Sequence, residues 1–400
     1  MCTLRAAPHR VGFFMGSVAM LASFAWWALL MVQRAQGVAP LSAIPPAWLH
    51  ADLMLFGFLP LFMLGFINTA GPKWLGVDPP ARPHWLGSTV LYGAGSLLVV
   101  GASRWPVLQA LGDVLHVAGW AWAIAIWAGR IRRSASPDQR HARSVLLAFG
   151  LGGLALALQV AVSTHAVSAR WASVVVSLGL WGFLLPVFLT VSHRMIPFFS
   201  SVVLQPYQPW RPFWLLYAWI GLSLTHGALA IAAGFTPYAC SALPDLVWAG
   251  LLLYTSWRWQ LRRSFKAPLL GMLHASFAWA GIAMLLFALQ SAAAAAGVYI
   301  GGYAPLHALT LGYFCSMLLA FVTRVSLGHS GRPLMIGRLT ACLYWLVHAV
   351  ALARVSAEFV PAHASALFSI AAVTALGTLA VWAVRYVPMY VLPRPDGQAG

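Results

Sequence analysis

Charge is what this sequence has least of. Asp, Glu, Lys and Arg make up 8% of its 400 residues, and only 7 residues are acidic. A soluble domain carries about 25% charged residues. Hydrophobic residues make up 61%, and apolar runs recur from end to end. A soluble globular domain is thereby excluded, and a polytopic membrane protein remains. Acids this sparse also argue against a proton pump, which needs a chain of carboxylates through the bilayer. Cysteine is scarce too. Cys2, Cys240, Cys315 and Cys342 form no CxxC pair or other metal-ligand spacing, so a disulfide framework is not expected. A cleavable leader is not expected either: residues 11–33 are long enough to span, and no small-residue cleavage site follows them. Cys2 directly follows Met1 with no apolar stretch before it, which argues against a lipoprotein.

A bilayer crossing takes about 20 apolar residues. Twelve segments qualify: 11–33, 48–70, 84–103, 107–129, 144–166, 171–193, 213–235, 243–261, 270–290, 304–326, 337–357 and 364–386. Short connections predict one all-α transmembrane domain over residues 1–400, with no internal repeat. The alanine run 292–296 is expected to cap the ninth helix. The net charge of +17 would point to nucleic acid in a soluble protein. Here Lys and Arg lie between the apolar runs and read as topology signals, so no nucleic-acid partner is expected. With the connections numbered alternately, Arg34, Arg104, Arg170 and Arg354 fall on one side and the other 20 basic residues on the opposite side. A miscounted helix would scramble that separation. It predicts both termini in the cytoplasm. Most of the 20 Trp residues are expected in interfacial belts.

The same orientation places His50, His116, His165, His226, His307 and His348 in or near the outer half, and His274 in the inner third of the ninth helix. Neutral imidazole is a good metal or haem ligand, and two histidines on facing helices can hold a b-type haem. That geometry needs matched depth and small neighbours to admit a flat macrocycle. On the second helix His50, Met54, Gly57, Leu61, Gly65 and Asn68 share a face, and the glycines would leave a groove. On the tenth, His307 shares a face with Leu311, Phe314, Cys315 and Leu318, with Gly312 alongside. A lone buried histidine is more often a hydrogen-bonded packing residue, and glycine stripes more often serve close helix packing. From the residues alone, an outer-leaflet haem or metal site and a polar transport path both remain open. Asp113 and His116, spaced i, i+3, are expected mainly to satisfy each other. Asp52 would bond a neighbouring helix, meet a haem propionate through water, or relay a proton.

The stretch beginning LHADLMLFGF, with GFINTA and KWLG after it, resembles the second helix of the NnrS family, bacterial membrane proteins of the nitric oxide response. HRMIPFF (193–199), LHASFAW (273–279), HALTLGYFCSMLLAFVTRVSLGHSGRPL (307–334) and PRPDG (393–397) continue the likeness in order along the chain. More distantly, His50, Met54, Pro60, Gly65, Phe66, Asn68 and Pro72 resemble the second helix of haem–copper oxidases and nitric oxide reductases. In those enzymes this histidine is an axial haem ligand partnered from the tenth helix. The resemblance implies a haem–copper-oxidase-like bundle in the bacterial inner membrane, with haem b held by His50 and His307 and nitric oxide or a small redox ligand as its partner. A respiratory electron-transfer partner would fit the same picture.

The chain departs from both patterns. Asp52 and Leu53 stand where many NnrS proteins have a second His and a Glu. The tenth and seventh helices carry the single histidines His307 and His226 where the oxidases carry two, so the three-histidine copper site of those enzymes is not expected. Copper, if held, would fall to His226 with His165 or His348. His226 and His274 are the candidates for a second, open haem or metal position. Whether any of this is catalytic is left open. The rival expectations are a cofactor-free secondary transporter of a metal or metal complex, and a structural partner of a respiratory complex. At the inner face, Arg194, Arg324, His329 and Arg332 are expected to clamp the sixth helix to the tenth.

Overall fold

The computed structural model of the protein describes residues 3–39, 42–234 and 241–397. Cys2, Cys240 and the end of the expected seventh span lie outside them. Among the described residues the regular structure is helical, with no strand. Lipid offers no partner to a backbone N–H or C=O, so a long apolar run must satisfy its own. Ten helices are long and apolar enough to cross a membrane: α1 Pro8–Ala35, α2 Pro46–Leu75, α4 Val107–Arg133, α5 Arg140–Ser163, α6 Ala169–Val203, α7 Phe213–Ala232, α9 Pro268–Ala295, α10 Ala304–His329, α11 Arg338–Phe359 and α12 Pro361–Val391. Two further expected spans are also helical, α3 Arg82–Gly101 and α8 Ala242–Arg258. The alanine run ends α9 as expected, with Ala296 at the cap and Gly297 at φ +75°.

The chain forms two compact units. The first takes in Met1–Gln33, Val38–Val187 and Ala383–Gly400, and the second Arg34–Gly37 and Phe188–Trp382. In the first unit, Arg10 of α1 donates to the backbone oxygens of Tyr390 and Leu392 at 3.3 and 2.9 Å, which ties the two ends of the chain together. Close backbone approach does much of the packing. A side chain at Gly12 of α1 would place its Cβ 2.6 Å from Gly65 Cα of α2. A Cβ at Gly112 of α4 would lie 2.7 Å from the Gly95 oxygen of α3. The glycine face of α2 therefore packs on α1, in the small-residue manner of membrane helices. It is no open groove for a macrocycle. In the second unit, a Cβ at Gly312 would strike the Trp279 ring at 2.5 Å, so that glycine too makes room for packing.

Not every tryptophan is an interfacial residue. Trp120, Trp181, Trp219, Trp248, Trp259 and Trp382 are fully buried. Some buried indoles tie helices together through the N–H: Trp120 and Trp127 of α4 donate to the Phe149 and Ala142 carbonyls of α5, and Trp382 of α12 donates to Thr323 of α10.

Three of the long helices change pitch. Leu53–Gly57 in α2, Leu178–Leu184 in α6 and Ala308–Cys315 in α10 wind as π-helix. The first has a cause in the sequence. Pro60 has no N–H to return to the carbonyl four residues back, and Phe58 drops out of helical geometry at φ −135°. The Phe56 carbonyl receives the Tyr92 hydroxyl of α3 instead, at 2.8 Å. Tyr92→Phe should leave that oxygen without its donor and lower stability by ~1–3 kcal/mol. Thermal unfolding of the purified protein, followed by tryptophan fluorescence, checks this; an unchanged midpoint would show that the bond contributes nothing.

Candidate functional site

His50 lies in the first α-helical stretch of α2 (Pro46–Asp52), three residues before the π segment begins at Leu53. Its ring stacks on Trp27 of α1, with centroids 3.7 Å apart and planes 22° from parallel. Two residues on, the buried Asp52 carboxylate accepts two hydrogen bonds through Oδ2, from Gln109 Nε2 of α4 at 3.0 Å and Gln159 Nε2 of α5 at 2.8 Å. Of its three expected roles, the bond to neighbouring helices is the one present, and it joins three helices rather than two.

Asp113 and His116 do not satisfy each other. Both are fully buried, but His116 Nε2 pairs with Ser96 Oγ of α3 at 3.0 Å, and Tyr92 stacks on its ring at 4.3 Å. Neither Asp113 oxygen nor His116 Nδ1 has a hydrogen-bond partner among the described residues. The i, i+3 spacing puts the two on one helix face, but α3 takes the imidazole.

In the second unit, His307 closes the short stretch Ala304–His307 and directly precedes a π segment. Its Nδ1 lies 2.9 Å from the Tyr303 carbonyl, one turn back. A carbonyl can only accept, so in the neutral ring Nδ1 carries the hydrogen and Nε2 the lone pair. A bond of this kind behind a ligating histidine sets its tautomer. His50 belongs to the first unit and His307 to the second.

Each remaining histidine has a distinct setting. His226 of α7 meets Asp245 of α8 through Nδ1 at 2.7 Å, and both are buried. His274 of α9 pairs through Nε2 with Ser200 of α6 at 2.9 Å. His348 of α11 accepts from Trp279 Nε1 at 2.7 Å through Nδ1. The neutral ring then carries its hydrogen on Nε2, so ligating a metal through Nε2 would require giving up the Trp279 bond. His165 stands exposed in the turn after α5, at φ 58°. Among the described residues no three His, Cys, Asp or Glu side chains gather as a metal-holding group. The expected clamp between α6 and α10 is present in part: the Arg324 guanidinium lies over the Phe199 ring at 4.0 Å.

The model of the NnrS protein family matches residues 3–394, nearly the whole chain. The chain belongs to the NnrS family. No curated protein matches it. In this NnrS chain the buried polar groups that sequence reading missed are Gln109, Gln159 and Asp245. A signal for the first was present: Gln109 lies one turn before Asp113 on a predicted span. Asp245 sits near the start of the eighth expected span, where an acid reads as a flank. The Gln159–Asp52 pairing spans 107 positions, and nothing local announces it.

Gln159→Leu should remove one of the two donors to a buried carboxylate and cost ~1–3 kcal/mol, whereas Gln208→Leu, in the exposed loop between α6 and α7, should cost little. The difference in thermal midpoint between the two variants measures it; equal midpoints would contradict the role given to Gln159.

Proposed function

We propose that this NnrS protein acts in the bacterial inner membrane, with both termini cytoplasmic, in the response to or protection from nitric oxide, and that His50 and His307 hold a haem b. Membership of the NnrS family carries the nitric oxide role. The chemistry of the donor atoms supports the haem. The His307 Nδ1–H bond to Tyr303 leaves the Nε2 lone pair in the form an axial ligand needs. Both histidines also stand close before π-helical segments, His307 directly and His50 three residues ahead, a pitch change frequent at functional sites. The glycines of α2 and α10 supply packing, so room for the ring must come from other surfaces.

When bound, the haem would supply one-electron chemistry and a place for nitric oxide to bind. The chain's own part is to fix the imidazoles. Tyr303 holds the His307 tautomer, and Trp27 holds the plane of His50. Haem propionates would be met by arginines of the outer side; of these Arg354 is paired with Glu358 at 2.7 Å and stacks on Phe368, which leaves Arg34, Arg104 and Arg170 for that task. Copper draws less support. His348 is committed to Trp279, and His165 is exposed, so the proposal rests on haem alone, with His226 and His274 kept as candidates for a second site. A respiratory protein would supply electrons from outside the chain.

Membranes carrying the protein should show a reduced b-type α-band above that of control membranes. The band should fall to background in a His50→Ala, His307→Ala double variant of equal abundance. A protein with no bound haem, or a band indifferent to both substitutions, would overturn the assignment.

A further inference from the structure

Among its described residues, the first unit buries two carboxylates that take part in no ion pair. Asp52 and Asp113 are 2% and 0% exposed. They share one polar cluster: Asp113 lies one turn beyond Gln109 on α4, and Gln109 and Gln159 both donate to Asp52. Four oxygens of this cluster have no hydrogen-bond donor among the described residues: Asp52 Oδ1, both Asp113 oxygens and Gln159 Oε1. Gln159 is itself fully buried. None of the ion pairs among the described residues involves either aspartate. His116, one turn from Asp113, bonds Ser96.

Charges buried in a membrane protein are paired or hold an ion. Amide nitrogens already serve Asp52 Oδ2, so what the cluster still lacks is something that accepts electron pairs from oxygen. We propose that Asp52, Asp113 and the side-chain carbonyl of Gln159 bind a small hard cation. Carboxylate and amide oxygens without sulfur or paired imidazoles are the donor set of such ions rather than of soft metals. Two carboxylates match the charge of calcium; one carboxylate and one carboxylic acid match sodium. Gln109 steadies Asp52 from α4, and the site ties α2 to α4 and α5 beside His50. The residues are separate from the proposed haem ligands, so the two readings fail independently.

The full-length protein in detergent, desalted into a choline buffer with chelator, is titrated with calcium chloride in one series and sodium chloride in another while thermal unfolding is recorded. The wild type should gain several degrees in midpoint with a saturable dependence on one of the two ions. In Asp113→Asn that dependence should weaken by tenfold or more in concentration, while the haem α-band persists. Asp138→Asn, which changes an exposed carboxylate paired with Arg140, should keep the wild-type response. If Asp113→Asn does not fold, equilibrium dialysis of the wild type against radioactive calcium or sodium decides: about one ion retained per chain supports the site. Midpoints indifferent to both ions, or no retained ion, would show that protons alone neutralise the cluster and would overturn the proposal.

Discussion

A carboxylate buried among lipid-facing helices must be answered by atoms of its own chain, and Asp52 is where this protein meets that constraint. Two glutamine amides, one from α4 and one from α5, close on a single oxygen of a residue on α2. Water cannot take their place at that depth, so the three helices are fixed relative to one another by one polar point. The point lies two residues from His50 and one from the start of a π-helical segment. The setting of the histidine therefore depends on a network whose residues lie outside the proposed haem ligands.

The other polar contacts follow the same rule, and they sort the histidines by chemistry. An imidazole has one donor and one acceptor nitrogen, and what holds the first decides what the second offers. The Tyr303 carbonyl makes His307 a donor at Nδ1; Trp279 makes His348 an acceptor there. Two histidines that look alike in the sequence are thus opposite in readiness to ligate a metal. Asp245 places His226 with the first group, as a carboxylate orienting an imidazole does.

Much of the architecture was legible because hydrophobic length is a strong signal. Every expected span coincides with a helix, and the alanine run ends α9 where expected. Pro60 announces the irregular stretch of α2, since an imino residue cannot complete the turn behind it. The site was less legible. The glycines at 57, 65 and 312 were readable as either a groove or a packing seam, and only their neighbours in the fold, the Gly12 backbone at Gly65 and the Trp279 ring at Gly312 above all, decide for packing. The Asp113–His116 spacing correctly put both groups on one face, yet partners on other helices, remote in sequence, determined what His116 binds. Tryptophan in a membrane chain reads first as an interfacial anchor, whereas here six indoles lie in the core.

The central claim is that His50 and His307 are axial ligands of one haem. Electron paramagnetic resonance of the oxidised, purified protein tests it most directly. The account predicts a low-spin ferric signal of bis-imidazole type, converted to high spin by His307→Ala alone and equally by His50→Ala alone. A low-spin signal that survives either substitution, or the lack of any ferric haem signal, would contradict it.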